Sequence, residues 1–198
     1  MKDGVAVLVV THNSAESVPL CLCSLEAVQE TIVVDNASID DTCRIVEKMA
    51  PTVRLMRTLN NRGFAAAVNQ GIRASSSPLV LILNPDVVLL TPLDDMISQC
   101  VMENVGAVGG QLVDTAGRPQ TGFNIRSFPT PAALACEVLL LNRLWPSNPV
   151  NCRYRRLKLD PDVAQDVDQP AGAFLMVRRE VLEKVRFLDE EFSPIWFE

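Results

Sequence analysis

Three short apolar runs, each ending in a polar cluster, constrain the fold of this chain more than any other feature. Val5-Ala6-Val7-Leu8-Val9-Val10 runs into Thr11-His12-Asn13, and Thr31-Ile32-Val33-Val34 into Asp35-Asn36-Ala37-Ser38. Leu79-Val80-Leu81-Ile82-Leu83 runs into Asn84-Pro85-Asp86. Continuous apolar runs of this length read as strands covered on both faces. Val53-Arg54-Leu55-Met56 adds a plausible further strand between the second and the last.

Helix signals fill the gaps. Asn13 with Glu16 three residues on predicts a capped helix through Leu20, Leu22 and Leu25, and Ser38 with Asp41 another through Ile45, Val46 and Met49. Gly63 to Ala74 is alanine-rich and predicts a third helix. Thr91-Pro92-Leu93-Asp94 carries an N-cap Thr, a Pro and an acid, and predicts a fourth. Such alternation predicts an α/β fold, a Rossmann-like, mostly parallel sheet with helices on both faces. Sheets of that kind bind ligands at the carboxyl ends of their strands, where all three polar clusters fall.

Composition narrows the class. A hydrophobic share of 48% with 21% charged residues describes a globular protein, and a net charge of -6 argues against a nucleic-acid binder. No apolar run reaches the ~20 residues that cross a bilayer, and Val5 to Val10 is too short for a signal peptide. A cytoplasmic location is expected. The six cysteines are scattered without a CxxC pair, which predicts free thiols.

The strand-end residues suggest particular chemistry. Asp35 stands where Rossmann folds carry an acid that meets a ribose or base edge, with a turn residue as the plainer alternative. Thr11-His12-Asn13-Ser14 replaces the glycine-rich phosphate fingerprint, which sets a nicotinamide dehydrogenase aside. His12 either bonds near a pyrophosphate or shapes the turn. Arg62, next to a helix N-terminus, suits a diphosphate, whereas Asn61 and Asn69 need partners if buried. Asp86 suits a hard cation such as Mg²⁺ or Mn²⁺, with an Asx-type turn as the alternative.

Taken together, these motifs resemble family 2 of the inverting glycosyltransferases, on the GT-A fold, and its bacterial rhamnosyltransferase-like branch. The resemblance rests on Val9 to Ser14, on Val33 to Ser38 with Asp40-Asp41-Thr42, on Asn61 to Gly71, on Leu83 to Val87, and on Ala171 to Arg179. It implies transfer of a sugar, rhamnose being the branch's suggestion, from a nucleotide diphosphate-sugar to a saccharide or lipid-linked acceptor in cell-surface polysaccharide synthesis. It also implies that Thr11, His12, Asn13, Asp35 and Asn36 hold the nucleoside, with Asp35 reading the base. Asn61, Gly63 and Asn69 would frame the pocket, and Asn84 and Asp86 would form the metal-binding motif. Gly172 and Ala173 would lie on the acceptor side. In the family a Glu-Asp pair follows the final aromatic segment, its Asp being the general base. Glu198 matches the first member and is the last residue, so the chain is expected to be a truncated enzyme lacking its base. A positioned base contributes ~10²–10⁴-fold in rate. The alternative is a catalytically inactive nucleotide-sugar binding module.

Within one domain the sequence suggests a nucleotide-sugar half, 1–115, and an acceptor half, 116–198. The second half is punctuated by Pro119, Pro129, Pro131, Pro146 and Pro149. Ala132 to Leu144 reads as a leucine-rich helix, followed by Trp145, Arg153, Arg155, Arg156 and Lys158, with no acid between Glu137 and Asp160. The favoured expectation is a core-packing helix and a solvated basic loop; the other is peripheral contact with the inner face of the cell membrane.

Overall fold

The computed structural model describes residues 4–25 and 30–192. Its first elements alternate strand and helix: β1 (Val5–Thr11), α1 (Val18–Ser24), β2 (Glu30–Asp35), α2 (Thr42–Met49), β3 (Arg54–Arg57), α3 (Phe64–Arg73), β4 (Leu79–Leu83) and α4 (Asp94–Cys100). Then come β5 (Ala107–Gly109), β6 (Ile125–Arg126), α5 (Pro131–Val138), α6 (Leu141–Leu144), α7 (Pro149–Tyr154), β7 (Gln169–Pro170), β8 (Phe174–Arg178) and α8 (Arg179–Lys184). A 3-10 turn, Glu190–Phe192, follows.

Six strands form one sheet in the order β3-β2-β1-β4-β8-β5. β1 pairs in parallel with both β2 and β4, β2 in parallel with β3, and β8 antiparallel with β4. Strand order reverses between β1 and β4, and the carboxyl ends of strands at such a reversal are the usual ligand position in these sheets.

Every residue of β1 and β4 is buried, and alternate side chains serve opposite layers. Val5, Val7 and Val9 of β1 and Leu79, Leu81 and Leu83 of β4 pack with Val18 and Leu22 of α1, Val46 of α2 and Cys100 of α4. Leu8, Val10, Val80 and Ile82 face the other way, onto Ala67, Val68 and Ile72 of α3 and Leu182 of α8. Full burial of each such large apolar side chain contributes about 1.5–3 kcal/mol, so these two layers hold the sheet.

The chain divides into two compact units. One combines Met1–Val108 with Gly172–Glu198 and holds the large sheet; the other is Gly109–Ala171. The second carries the β6–β7 pair and helices α5 to α7. Two of its helices, α5 and α7, are capped: Thr130 accepts a bond from the Ala133 amide ahead of Pro131, and Asn148 from the Asn151 amide ahead of Pro149.

Several helix starts differ from the sequence reading. Asn13 does not cap α1, which begins at Val18 after Ser17. Asn13 adopts a left-handed φ of 52°, and its Oδ1 accepts a bond from the Ile39 amide. Ser38 turns its hydroxyl to Asp35, and α2 begins at Thr42 after Asp41. Asn13 is thus engaged by distant Ile39, and Ser38 by Asp35 three residues back and by the Asn13 amide across the loop, so neither side chain is left to cap a helix. Thr91-Pro92 precedes the start of α4, whose N-cap is Leu93. The helix expected over Ala132 to Leu144 is broken at Leu140, which takes a left-handed φ of 57°. Its leucines do not pack into a core; of α5 only Ala133 is buried.

Candidate functional site

The parallel register sets Thr11 beside Asp35 and Val9 beside Leu83, so the polar clusters after β1, β2 and β4 emerge at one edge of the sheet. A dense hydrogen-bond network joins the first two. Thr11 Oγ1 donates to Asp35 Oδ1 at 2.9 Å, and the Ser38 amide donates to Asp35 Oδ2 at 3.0 Å. Asp35 is 2% exposed. Burial alone would raise its pKa, but bonds from the Ser38 hydroxyl and amide, Cys43 and Thr11 hold it below the usual 3.8.

Three successive amides of the turn after β1 are held from the β2 side. The Asn13 amide donates to Ser38 Oγ at 2.8 Å, the Ser14 amide to Thr42 Oγ1 at 2.8 Å and the Ala15 amide to Asp40 Oδ2 at 3.1 Å. These amides are therefore already engaged and do not form a phosphate nest, in keeping with the missing glycine fingerprint. Bonds from Thr42 hold the Asp40 carboxyl below its ordinary value. His12 and Asn13 are exposed above this knot. His12 Nδ1 lies 2.9 Å from the Asn36 carbonyl, which can only accept, so Nδ1 carries a hydrogen. Nε2 is left facing the Asn13 side-chain amide at 3.5 Å.

Asn36 links the same edge to the start of α3. Its Nδ2 donates to Asn61 Oδ1 at 2.8 Å and to the Gly63 carbonyl at 3.0 Å, while its Oδ1 accepts from the Arg62 amide at 3.0 Å. Gly63 takes φ 87°, which favours glycine, and Asn61 Oδ1 accepts its amide at 2.9 Å. Thus Thr11, His12, Asn13, Asp35, Asn36, Asn61 and Gly63 form one connected group.

Asn69 points elsewhere. Buried on α3, its Nδ2 donates to the Leu188 carbonyl and to Glu190 Oε1, each at 2.9 Å, and its Oδ1 accepts from the Leu188 amide at 3.0 Å. Glu190 also lies 3.5 Å from Arg62 Nη2 and 3.9 Å from Arg73 Nη1. Glu190 had no signal in the sequence reading, because its partners are more than a hundred residues away. Asp40 and Thr42, which brace the loops, carried no individual signal for a related reason: their bonds to Ala15 and Ser14 exist only once the two strands are paired.

At the end of β4, the Asn84 amide donates to the Ala173 carbonyl at 2.9 Å, and the Asn84 carbonyl accepts from the Val87 amide at 3.1 Å. Ala173 and Gly172 therefore border the Asn84-Pro85-Asp86 turn. A Cβ built on Gly172 would meet nothing within 4 Å, so no packing inside the chain demands this glycine. Asp86 is exposed, and its carboxylate accepts no hydrogen bond from the described residues. Beneath it, burial and the nearby Asp86 charge push the buried Cys21 thiol up to about 12. Among the described residues no group of three or more His, Cys, Asp or Glu side chains could hold a metal. One unengaged carboxylate nevertheless fits a cation that keeps several waters and takes its other ligands from phosphate, as Mg²⁺ does. Glu198 lies outside the described residues.

A doubly wound sheet whose polar strand ends converge at the order reversal defines a nucleotide-site class of α/β protein. Residues 6–186 match the family described as Glycosyl transferase family 2, and the chain belongs to that family. It is 27% identical to N-acetylglucosaminyl-diphospho-decaprenol L-rhamnosyltransferase of Mycobacterium tuberculosis, over 97% of this chain and 67% of that protein. It is 22% identical to the low-salt glycan biosynthesis hexosyltransferase Agl10 of Haloferax volcanii, over 97% of this chain and 58% of that one. The fold is the GT-A fold of known transferases. The mannosyltransferase PcManGT of Pyrobaculum calidifontis, solved with GDP-Man and Mn²⁺, superposes with a TM-score of 0.60 at 20% identity, over 95% of this chain and 48% of that one. TarS 1-349 of S. aureus in complex with UDP gives 0.61 at 19% identity, over 96% and 51%. The chain thus spans about half the length of those solved proteins and about two thirds of the rhamnosyltransferase.

Proposed function

We propose that this protein transfers a sugar, rhamnose by analogy with its mycobacterial relative, from a nucleotide diphosphate-sugar to a saccharide or lipid-linked acceptor at the inner face of the cell membrane. The observation that carries this reading is the unengaged Asp86 carboxylate at the β1/β4 order reversal, beside the braced loops after β1 and β2. Thr11, Asp35 and Asn36 serve the nucleoside end by fixing those loops, and His12 and Asn13 offer the exposed polar atoms there. Asn61 and Gly63 set the approach of α3, with Arg62 beside them for the diphosphate. Asn69 frames the site through the segment at Leu188 to Glu190.

Asp86 would hold Mg²⁺ or Mn²⁺, and the cation's chemistry is to offset charge on the departing nucleoside diphosphate. In an inverting transfer the acceptor oxygen bonds to the anomeric carbon from the face opposite the phosphate, the carbon–phosphate oxygen bond breaks, and the hydroxyl proton passes to a carboxylate base. Exposed Gly172 leaves open ground for the acceptor, and buried Ala173 ties that segment to Asn84.

Thermal melting with thymidine, uridine and guanosine diphosphates, each with and without Mn²⁺, tests the reading. Ligand at ~100 times its dissociation constant adds about 2.7 kcal/mol of stability. A Mn²⁺-dependent rise for one nucleotide, absent in Asp86→Ala, is the expected result. No rise with any of them would overturn it.

A further inference from the structure

Helices α5 and α6 present an apolar surface that the Gly109–Ala171 unit leaves uncovered. Val138 is 81% exposed, Leu139 65%, Leu144 81% and Trp145 60%. Leu134, Leu140 and Leu141 are exposed beside them. Apolar side chains scattered singly over a surface need no explanation, but a contiguous cluster on adjoining turns marks an interaction surface. The left-handed Leu140 makes the bend that brings α6 back after α5, at the strain cost of a non-glycine residue in that region. Nothing in the packing of the described residues rewards that strain.

The charge around the cluster identifies its occupant. α5 packs beside α7, which carries Arg153. Arg143, Arg153, Arg156 and Lys158 form no ion pair with described residues. Glu137, the acid nearest the cluster in sequence, is held by Arg155 at 3.2 Å. No other acid occurs before Asp160, in a chain whose net charge is -6. Two copies of this face set against each other would oppose arginine to arginine, which disfavours self-association. An anionic lipid surface satisfies both parts, taking leucine and tryptophan into its acyl boundary and the cations at its headgroups.

We propose that α5, α6 and the basic segment Arg153 to Lys158 dock this protein on an anionic membrane surface. The proposal deepens the transferase reading by naming the element that would bring a lipid-linked acceptor within reach. Vesicle binding and nucleotide binding are read in separate assays, so either can fail without the other.

The test uses the full 198-residue chain with Trp196→Phe, so that Trp145 is the sole tryptophan. It is mixed with phosphatidylcholine vesicles with or without phosphatidylglycerol. Co-sedimentation and a blue shift of Trp145 emission are expected only with the anionic vesicles. Arg143→Glu with Arg153→Glu should weaken binding on the order of tenfold or more. Leu139→Asp with Leu144→Asp should abolish it while leaving the melting temperature unchanged, both sites being exposed. No co-sedimentation, or equal binding by the aspartate variant, overturns the proposal. So does concentration-dependent self-association that the aspartate variant removes, which would give this face to a second copy of the chain.

Discussion

Thr11 and Asp35 are register partners at the ends of two neighbouring parallel strands, and the Thr11 hydroxyl donates to the Asp35 carboxylate at 2.9 Å. The bond locks the last rung of the β1–β2 ladder in side chains as well as backbone. Everything after that rung, from His12 to Ala15 and from Asn36 to Thr42, hangs from it.

Asp35→Ala removes the acceptor of both the Thr11 hydroxyl and the Ser38 amide. Each donor left unpaired costs about 1–3 kcal/mol, so the variant should lose about 2–6 kcal/mol in urea unfolding. Thr11→Val should lose about 1 kcal/mol. Equal losses would mean that the Ser38 bonds contribute nothing.

Acid should expose the same network. The folded pKa of Asp35 lies below the unfolded value of 3.8, so its stabilisation is complete above that value and is lost as pH falls through the lower folded one. The urea midpoint should therefore drop as the solution is acidified from about pH 5. Asp35→Asn should flatten that dependence; an unchanged slope would assign it to other carboxylates.

Ala37 sits in the same loop at φ 63°, a conformation that costs a non-glycine residue about 1–2 kcal/mol. Ala37→Gly should raise the melting temperature, the relief outweighing the added freedom of the unfolded chain. A lower melting temperature would show that the alanine methyl packs usefully.

Asn69→Asp should be more damaging than Asn69→Ala. The aspartate would turn two acceptors, the Leu188 carbonyl and Glu190 Oε1, against a third instead of a donor. A loss of about 2 kcal/mol is expected for Ala and more for Asp, read from guanidinium midpoints. The reverse order would mean that the clasp on Leu188 is not formed in solution.

The strands were legible in the sequence because Val5 to Val10 and Leu79 to Leu83 are buried on both faces, and double burial writes itself as an unbroken apolar run. The sheet edge at which the polar clusters after β1, β2 and β4 emerge was legible for the same reason. The caps expected at Asn13 and Ser38 do not form because Asn13 Oδ1 accepts from the Ile39 amide and Ser38 Oγ from the Asn13 amide, across loops that meet only after folding. The partner of Asn69 was hidden in the same way, with 119 residues between it and Leu188. Exposure of the α5 and α6 leucines was not readable either, since composition cannot tell a packed leucine from an uncovered one.

Thiol reagents should separate two cysteines two positions apart on α1. Cys21 is buried with its thiol pushed up to about 12, and Cys23, on the opposite face of the helix, is exposed. Iodoacetamide on the native protein at mildly alkaline pH should label Cys23 and spare Cys21. Labelling of Cys21 at a matching rate would show that α1 opens readily.

β8 enters the sheet next to β4, although about ninety residues separate the two in the chain. At a ribosomal rate of roughly 5–20 residues per second, the Leu79–Leu83 strand would wait roughly 5–20 s for Phe174–Arg178 to be made. Throughout that interval its hydrogen-bonding edge is open and wholly aliphatic, the kind of edge that recruits foreign strands. Biogenesis of this protein should accordingly depend on chaperone capacity during translation more than its finished stability would suggest.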